Sequence, residues 1–387
     1  MQTEVKYLLE IVKYILNGRV GKVKLPAKDL DWDRLIQLAQ AHSILNYVYY
    51  WVEDLPQECR PNEDHIEFLE KANGSTLVRT AYQIEGAREL FERFEQEGLY
   101  VIGIKGICTR QRYPQSDLRT MGDLDLVYQT SQHKQVKNAM LQMDYNQVSE
   151  ERQHDCYVRK PYLMVEMHRD LMDTESSYYS YYETVWSRVH PKDGCTYIYE
   201  MSLEDEYIYN LIHLVKHFQT GGIGIRFLMD VYVYNHITEM NWDYLEEELK
   251  KLKLREFLSN LSDLSERWFG VGTEIKDTAV LKKLEQYIVA NTTFGNSRNA
   301  MSVATAKKGR FGTLWRAVFP NLKAMQSMFV WLEKWPILLP YAWVLRGFRS
   351  ITTKKRRGHI KYRISGFLYG EREYGEDLRR FFKECGL

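Results

Sequence analysis

Apolar residues recur every three or four positions through most of the first hundred residues. EVKYLLEIVKYIL, DWDRLIQLAQAHSILNYVYYWVE and STLVRTAYQIEGARELFERFEQEG each present one apolar stripe, and each predicts a helix. At residue 99 the period shortens. LYVIGIKG (99–106) is a β-branched apolar run ending in Lys-Gly, followed by a short helical piece and by the alternating strand GDLDLVY (122–128). TSQHKQVKNAMLQM (130–143) opens on Thr-Ser and returns to helical spacing. YNQVSE, HDCYVRK and YLMVEMH then read as strands, with Lys160-Pro161 as the turn between the last two. Beyond them, SLEDEYIYNLIHLVKHF starts with Ser202 and has Asp205 three positions later, a capping signal. Further helices are predicted at 225–238, 242–269 and 276–290.

These elements predict an α+β chain with a small mixed-sheet core of four or five strands inside a mostly helical protein. The expected divisions are an N-terminal helical region (1–98), the α/β core (99–170) and a helical region completing a cleft (171–291). A polar, glycine-bearing linker (292–312) and an aromatic, basic C-terminal helical region (313–387) follow. Composition leaves this picture unchanged: 44% hydrophobic and 27% charged residues are those of an ordinary globular chain. Cys59, Cys108, Cys156, Cys195 and Cys385 show no CxxC pair and no metal spacing, which predicts reduced thiols and a cytoplasmic location. The acidic N-terminus does not read as a signal peptide. WPILLPYAWVL (335–345) is too short to span a bilayer.

Charge does change the picture. Residues 301–387 hold 18 Lys/Arg against 6 Asp/Glu, a net +12, while the rest holds 35 basic and 46 acidic residues, a net −11. The basic run TTKKRRGHIKYR (352–363), preceded by Trp331, Trp335 and Trp343, is the pattern of a surface docking on an anionic membrane or an acidic protein. Nucleic-acid binding is a third occupant, and a solvated loop packed near the acidic body is the bland reading.

The candidate chemistry lies in the α/β core. Residues two apart on a strand share a face, so Asp123 and Asp125 point one way while Leu124 and Leu126 point the other. Strands are depleted in Asp and like charges repel, so a bound cation is an economical reason for the pair. A DxD alone is a weak signal. Here Gly122 precedes it and Glu166 in VEMH offers a third carboxylate from another strand, a set suited to a hard cation that also holds phosphate. The glycine of IKG (Lys105-Gly106) marks a strand-to-helix junction where backbone can approach phosphate. His168 is expected to face away from Glu166. His213 and His217 lie one helical turn apart, but Leu214 follows the first, so the zinc-protease pattern fails. They are expected to pack as core histidines, or to line the acceptor side of a cleft with Arg226 and Asp230.

IKG, YPQSDLRTMGDLDLVY and VEMHRDL together resemble the uncharacterised nucleotidyltransferases of the polymerase-beta superfamily, the family 5 type. The likeness is firmest over 100–170 and extends more loosely into 210–234 and 319–346. It implies a polymerase-beta-like core. Asp123 and Asp125 would bind Mg²⁺, or Mn²⁺ in its place, with an NTP donor, and Glu166 would complete the metal site. Lys105 and Gly106 stand where the superfamily usually has Gly-Gly or Gly-Ser, so Lys105 would replace a small hydroxyl residue on the triphosphate, with Arg119 as a second cation and Gly122 beside them. The acceptor would be a small molecule, a sugar, a protein or an RNA end. The rival expectation is a non-catalytic nucleotide-sensing or protein-interaction module on the same fold.

Overall fold

The computed structural model describes residues 3–172, 176–272, 274–293, 295–326, 328–352 and 372–387. The basic run from 353 to 363 lies outside the described residues. Four helices come first: α1 (Thr3–Leu16), α2 (Trp32–Ala41), α3 (Leu45–Glu53) and the long α4 (Glu63–Gln96). Asp31 and Asn62 start α2 and α4 by accepting from the N–H three residues on, at 2.9 and 3.0 Å. Then follow β1 (Val101–Ile104), the single turn α5 (Gly106–Thr109), β2 (Leu124–Tyr128), α6 (His133–Gln142), β3 (Asn146–Glu150), β4 (His154–Arg159) and β5 (Leu163–His168). The Lys160-Pro161 turn joins β4 to β5 as expected.

The sheet does not end there. The turn α7 (Tyr179–Tyr182) leads into a hairpin of β6 (Val189–Pro191) and β7 (Ile198–Met201), which joins the other edge. Among the described residues the sheet has seven strands in the order β3-β4-β5-β2-β1-β7-β6. β7 lies parallel to β1, β2 lies parallel to β5, and the other neighbours are antiparallel. The predicted four or five strands thus miss this hairpin, because VHP and IYEM are too short to show a period of two. The fold is α+β.

The alternation in β2 orients the sheet. Leu124 and Leu126 are fully buried with Leu90 and Phe94 of α4 and Val136 and Met140 of α6. Burying each leucine is worth about 1.5–3 kcal/mol, so a one-residue slip that swapped them for carboxylates would be strongly unfavourable. Ile102, Ile104 and Val127 face the other way, into a larger core shared with α8 (Leu203–Thr220) and α9 (Ile225–Asn235). Ser202 caps α8 by accepting from Asp205 N–H at 3.1 Å. The acidic face of β2 therefore lies on the α8–α9 side.

Two further expectations are corrected. The predicted helix over 242–269 is two helices, Trp242–Leu252 and Arg255–Phe269, broken where Lys253 adopts φ 59°. The expected linker over 292–312 is largely helix: Asn296 caps a helix Ser297–Val318 by accepting from Asn299 N–H at 2.8 Å. Its small residues serve packing. The C-terminal helix Arg372–Glu384 lies so close against it that a Cβ on Gly375 would stand 2.0 Å from Ser302 O. That last helix also packs Phe381 and Phe382 against Phe218 at tilted angles and against Tyr287 edge-on. Trp331 packs with Met325, Phe329 and Leu332 in a small separate cluster, while Trp335 is 60% exposed. The five cysteines are free thiols. No helix among the described residues is long and apolar enough to cross a membrane.

Candidate functional site

Two strand ends converge at the site. β1 and β2 are antiparallel with Ile104 opposite Asp125, so Lys105, the next residue, emerges beside that carboxylate. β2 and β5 are parallel with Asp125 opposite Glu166 and Val127 opposite His168. Register alone therefore places Asp125, Glu166 and His168 on one sheet face, with Asp123 two residues before Asp125 on the same side. The expectation that His168 turns away from Glu166 is wrong: the two are two residues apart and share a face.

The side chains use this proximity. Lys105 Nζ donates to Asp125 Oδ1 at 2.6 Å, and His168 Nε2 donates to the same oxygen at 2.9 Å. His168 Nε2 also stands 3.4 Å from Glu166 Oε2. Asp125 is only 4% exposed. Burial would raise its pKa, but Lys105 and the His168 hydrogen bond outweigh burial and hold the carboxyl well below its usual range. Among the described residues Asp123 has no such hydrogen-bonded cation. Burial, then Asp125 and Glu166, push its carboxyl up to about 6, with Lys105 opposing. Glu166 is held low, chiefly by its hydrogen bond with His168. Lys105 is kept charged by Asp125 against burial.

Lys105 itself adopts φ 56°, a conformation that costs a non-glycine residue about 1–3 kcal/mol. Gly106 follows, and a Cβ there would meet Met121 Sδ at 3.0 Å and Met121 Cβ at 3.1 Å. Met121 directly precedes Gly122-Asp123, so the β1–α5 turn packs against the loop that carries the acids. Gly122 has no such constraint: a Cβ there would meet nothing within 4 Å.

A cleft of about 100 Å³ runs between these loops and α8–α9. Lys105, Gly106, Arg119, Gly122, Asp123 and Asp125 all line it, while Glu166 is not among its lining residues. Opposite them stand His213, Arg226 and Asp230, so the helix carrying His213 does face the cleft. His213 and His217 touch through Nε2 atoms 3.0 Å apart. Burial lowers both pKa values, His217 to about 4 and His213 well below its usual value with Lys105 contributing, so this pair is neutral near pH 7. A second cavity of about 350 Å³ lies beyond Lys105, bordered by Cys108, Arg112, Glu206 and Tyr209. The first cleft is smaller than the roughly 300–1,000 Å³ typical of ligand pockets.

Arg119 lines the cleft and is also held by the protein itself. Its guanidinium clamps Asp230 of α9, Nε to Oδ1 at 2.6 Å and Nη2 to Oδ2 at 2.8 Å, and Tyr113 Oη donates to the same Oδ1 at 2.6 Å. Nη1 donates to Thr120 O at 2.8 Å. This cation fastens the loop before the acids to the helical layer, where a phosphate contact was expected. Arg226, named in sequence only as a cleft residue, donates to Thr120 O at 3.0 Å and reaches the cleft near Asp123. The acidic partner of Arg119 lies 111 residues away. No local pattern marks such a pair.

A family model described as an uncharacterised nucleotidyltransferase matches residues 28–270, a span that holds the whole sheet, the cleft and both helices above it. No curated protein and no solved structure matches the chain.

Proposed function

The chain belongs to this uncharacterised nucleotidyltransferase family, and on that premise we propose that it moves a nucleoside monophosphate from an NTP to an acceptor hydroxyl with release of pyrophosphate. The family supports the general nucleotidyl-transfer role; the divalent cation, the leaving group and the site residues are our reading. The observation that carries it is the register that sets Asp125 opposite Glu166, with Asp123 two residues away and Lys105 at the adjoining strand end.

The donor set fits a divalent hard cation. Three carboxylates offer oxygen ligands, and Asp123, its carboxyl pushed up by burial first and then by Asp125 and Glu166, is the one a cation would most relieve. Both hydrogen bonds to Asp125 end on Oδ1, so Oδ2 is the oxygen offered to an ion. Asp123, Asp125 and Glu166 would hold Mg²⁺ or Mn²⁺. Bound there, the ion would neutralise the triphosphate and favour the ionised acceptor hydroxyl.

The remaining work falls to side chains. Lys105 supplies a charge for the phosphates, and the Lys105-Gly106 turn lets backbone come close to them. Arg226 adds positive charge on the opposite wall. In the transfer, a bond forms between the acceptor oxygen and the α-phosphorus, and the bond from that phosphorus to its bridging oxygen breaks. Pyrophosphate departs with the electron pair, and Glu166 can take the hydroxyl proton. Arg119 acts through Asp230, as a positioning residue.

The test is a thermal-shift screen of the four NTPs with and without Mg²⁺, on the parent and on Asp123→Asn. Stabilisation by an NTP that needs both Mg²⁺ and Asp123 supports the reading and names the donor. Absence of any Mg²⁺-dependent shift would leave a non-catalytic interaction module as the better description.

A further inference from the structure

The sheet face that carries Asp125 continues across β5 onto β4, and the register there sets His154 opposite His168 and Cys156 opposite Glu166. Two imidazoles thus flank one carboxylate. His168 Nε2 is 3.4 Å and His154 Nε2 3.9 Å from the same atom, Glu166 Oε2, and the two rings lie 5.0 Å apart. One donor atom from each of the three residues falls within 4.8 Å of the others.

Hydrogen bonding does not account for His154. A separation of 3.9 Å is beyond a hydrogen bond. Its Nδ1 is buried without a partner among the described residues, and so is Nδ1 of His168, a residue only 5% exposed. An imidazole sunk to 23% side-chain exposure with its Nδ1 buried and unpartnered is a cost that its fold position alone does not offset. Ligation of a metal ion would give His154 Nε2 the partner that Glu166 Oε2, at 3.9 Å, does not. Bonds of about 2.0–2.1 Å to imidazole nitrogen and carboxylate oxygen put tetrahedral neighbours roughly 3.4 Å apart. The observed 3.4 and 3.9 Å edges are already close to that spacing.

We propose that His154, Glu166 and His168 form a second cation site, selective for a first-row transition ion such as Zn²⁺ or Co²⁺, beside the Asp123–Asp125 carboxylates. Two imidazole nitrogens and one carboxylate oxygen suit such ions, whereas Mg²⁺ keeps to oxygen. The proposal shares Glu166 with the nucleotidyltransferase reading and otherwise stands apart from it. Filling the site takes the His168 nitrogen away from Asp125 Oδ1. The two sites are coupled through that one ring.

The experiment is a titration of the chelator-treated full chain with Co²⁺, followed by its visible d–d absorption, with Zn²⁺ as competitor. The chains are the parent, Asp123→Asn, and Asp123→Asn carrying His154→Gln or His154→Ala. Asp123→Asn removes the acidic pair as a rival binder, and two replacements at His154 guard against one that misfolds. One Co²⁺ per Asp123→Asn chain, displaced by Zn²⁺ but not by excess Mg²⁺, is expected. Either His154 change should weaken it at least about tenfold, the lower figure for losing even an outer partner of a metal. Equal Co²⁺ binding with and without His154, displacement by Mg²⁺, or no binding in the Asp123→Asn chain would overturn the second site. Failure of the nucleotidyltransferase reading is seen separately, as absence of Mg²⁺-dependent NTP stabilisation in the parent.

Discussion

Removing Asp230 should destabilise the protein before any ligand is added. Arg119 and Asp230 are each 8% exposed and are joined by two charge-assisted hydrogen bonds, with Tyr113 Oη on the same carboxylate. Asp230→Ala leaves the Arg119 guanidinium buried without its counter-charge, next to Arg226, and leaves the Tyr113 hydroxyl without its acceptor. Breaking a buried pair from one side costs about 3–5 kcal/mol. At about 1.2 °C per kcal/mol for a chain of 387 residues, the ligand-free Tm should fall by roughly 4–6 °C. Arg119→Met with Asp230→Leu replaces the pair by apolar groups and should recover most of that loss, because the stranded charge is gone. Circular dichroism melts of the parent, the single and the double variant are the assay. A Tm within about 2 °C of the parent for Asp230→Ala, or a double variant no more stable than the single, would refute the clamp. A separate outcome would restore the phosphate role: Arg119→Lys that lowers NTP affinity with no change in the ligand-free melt.

Asp123 sets a pH dependence. Its native carboxyl titrates near 6, above the usual value of about 3.9, so the native state binds the extra proton between them. Its contribution to ligand-free stability is therefore greatest below about pH 4 and is lost as pH rises through about 6, while Mg²⁺ affinity rises over the same interval. Melts against pH, taken as parent minus Asp123→Asn with and without Mg²⁺, should show opposite slopes; parallel slopes would contradict the assignment. Gly106→Ala drives a methyl against Met121 and hence against the Gly122-Asp123 loop, so Mg²⁺-dependent NTP stabilisation should shrink more than the ligand-free Tm. Equal NTP shifts in Gly106→Ala and the parent would remove this turn from the site. Phe382→Ala should cost about 3–5 kcal/mol in urea unfolding, since the ring is 5% exposed and packs against Phe218 and Tyr287. A loss of less than about 1 kcal/mol would mean that the last helix is a detachable docking arm.

What the sequence determined by itself was whatever depends on backbone period. Alternation in GDLDLVY set both acids opposite both leucines, helical spacing located α1, α8 and the later part of α4 but ran α2 and α3 together as one helix, and Ser202 with Asp205 marked a helix start. The Glu166–His168 relation was equally legible, being two residues on one strand, and was misread. Tertiary structure alone decided the partners. It brought Lys105 onto Asp125 across 20 residues and Arg119 onto Asp230 across 111, and it placed His154 beside Glu166 by strand register. It also added the β6–β7 hairpin to β1 and returned the last helix to the body. The physical reason is one of range. Side-chain direction follows from φ and ψ of the residue itself, whereas which charge meets which is set by how buried surfaces across the whole chain fit together.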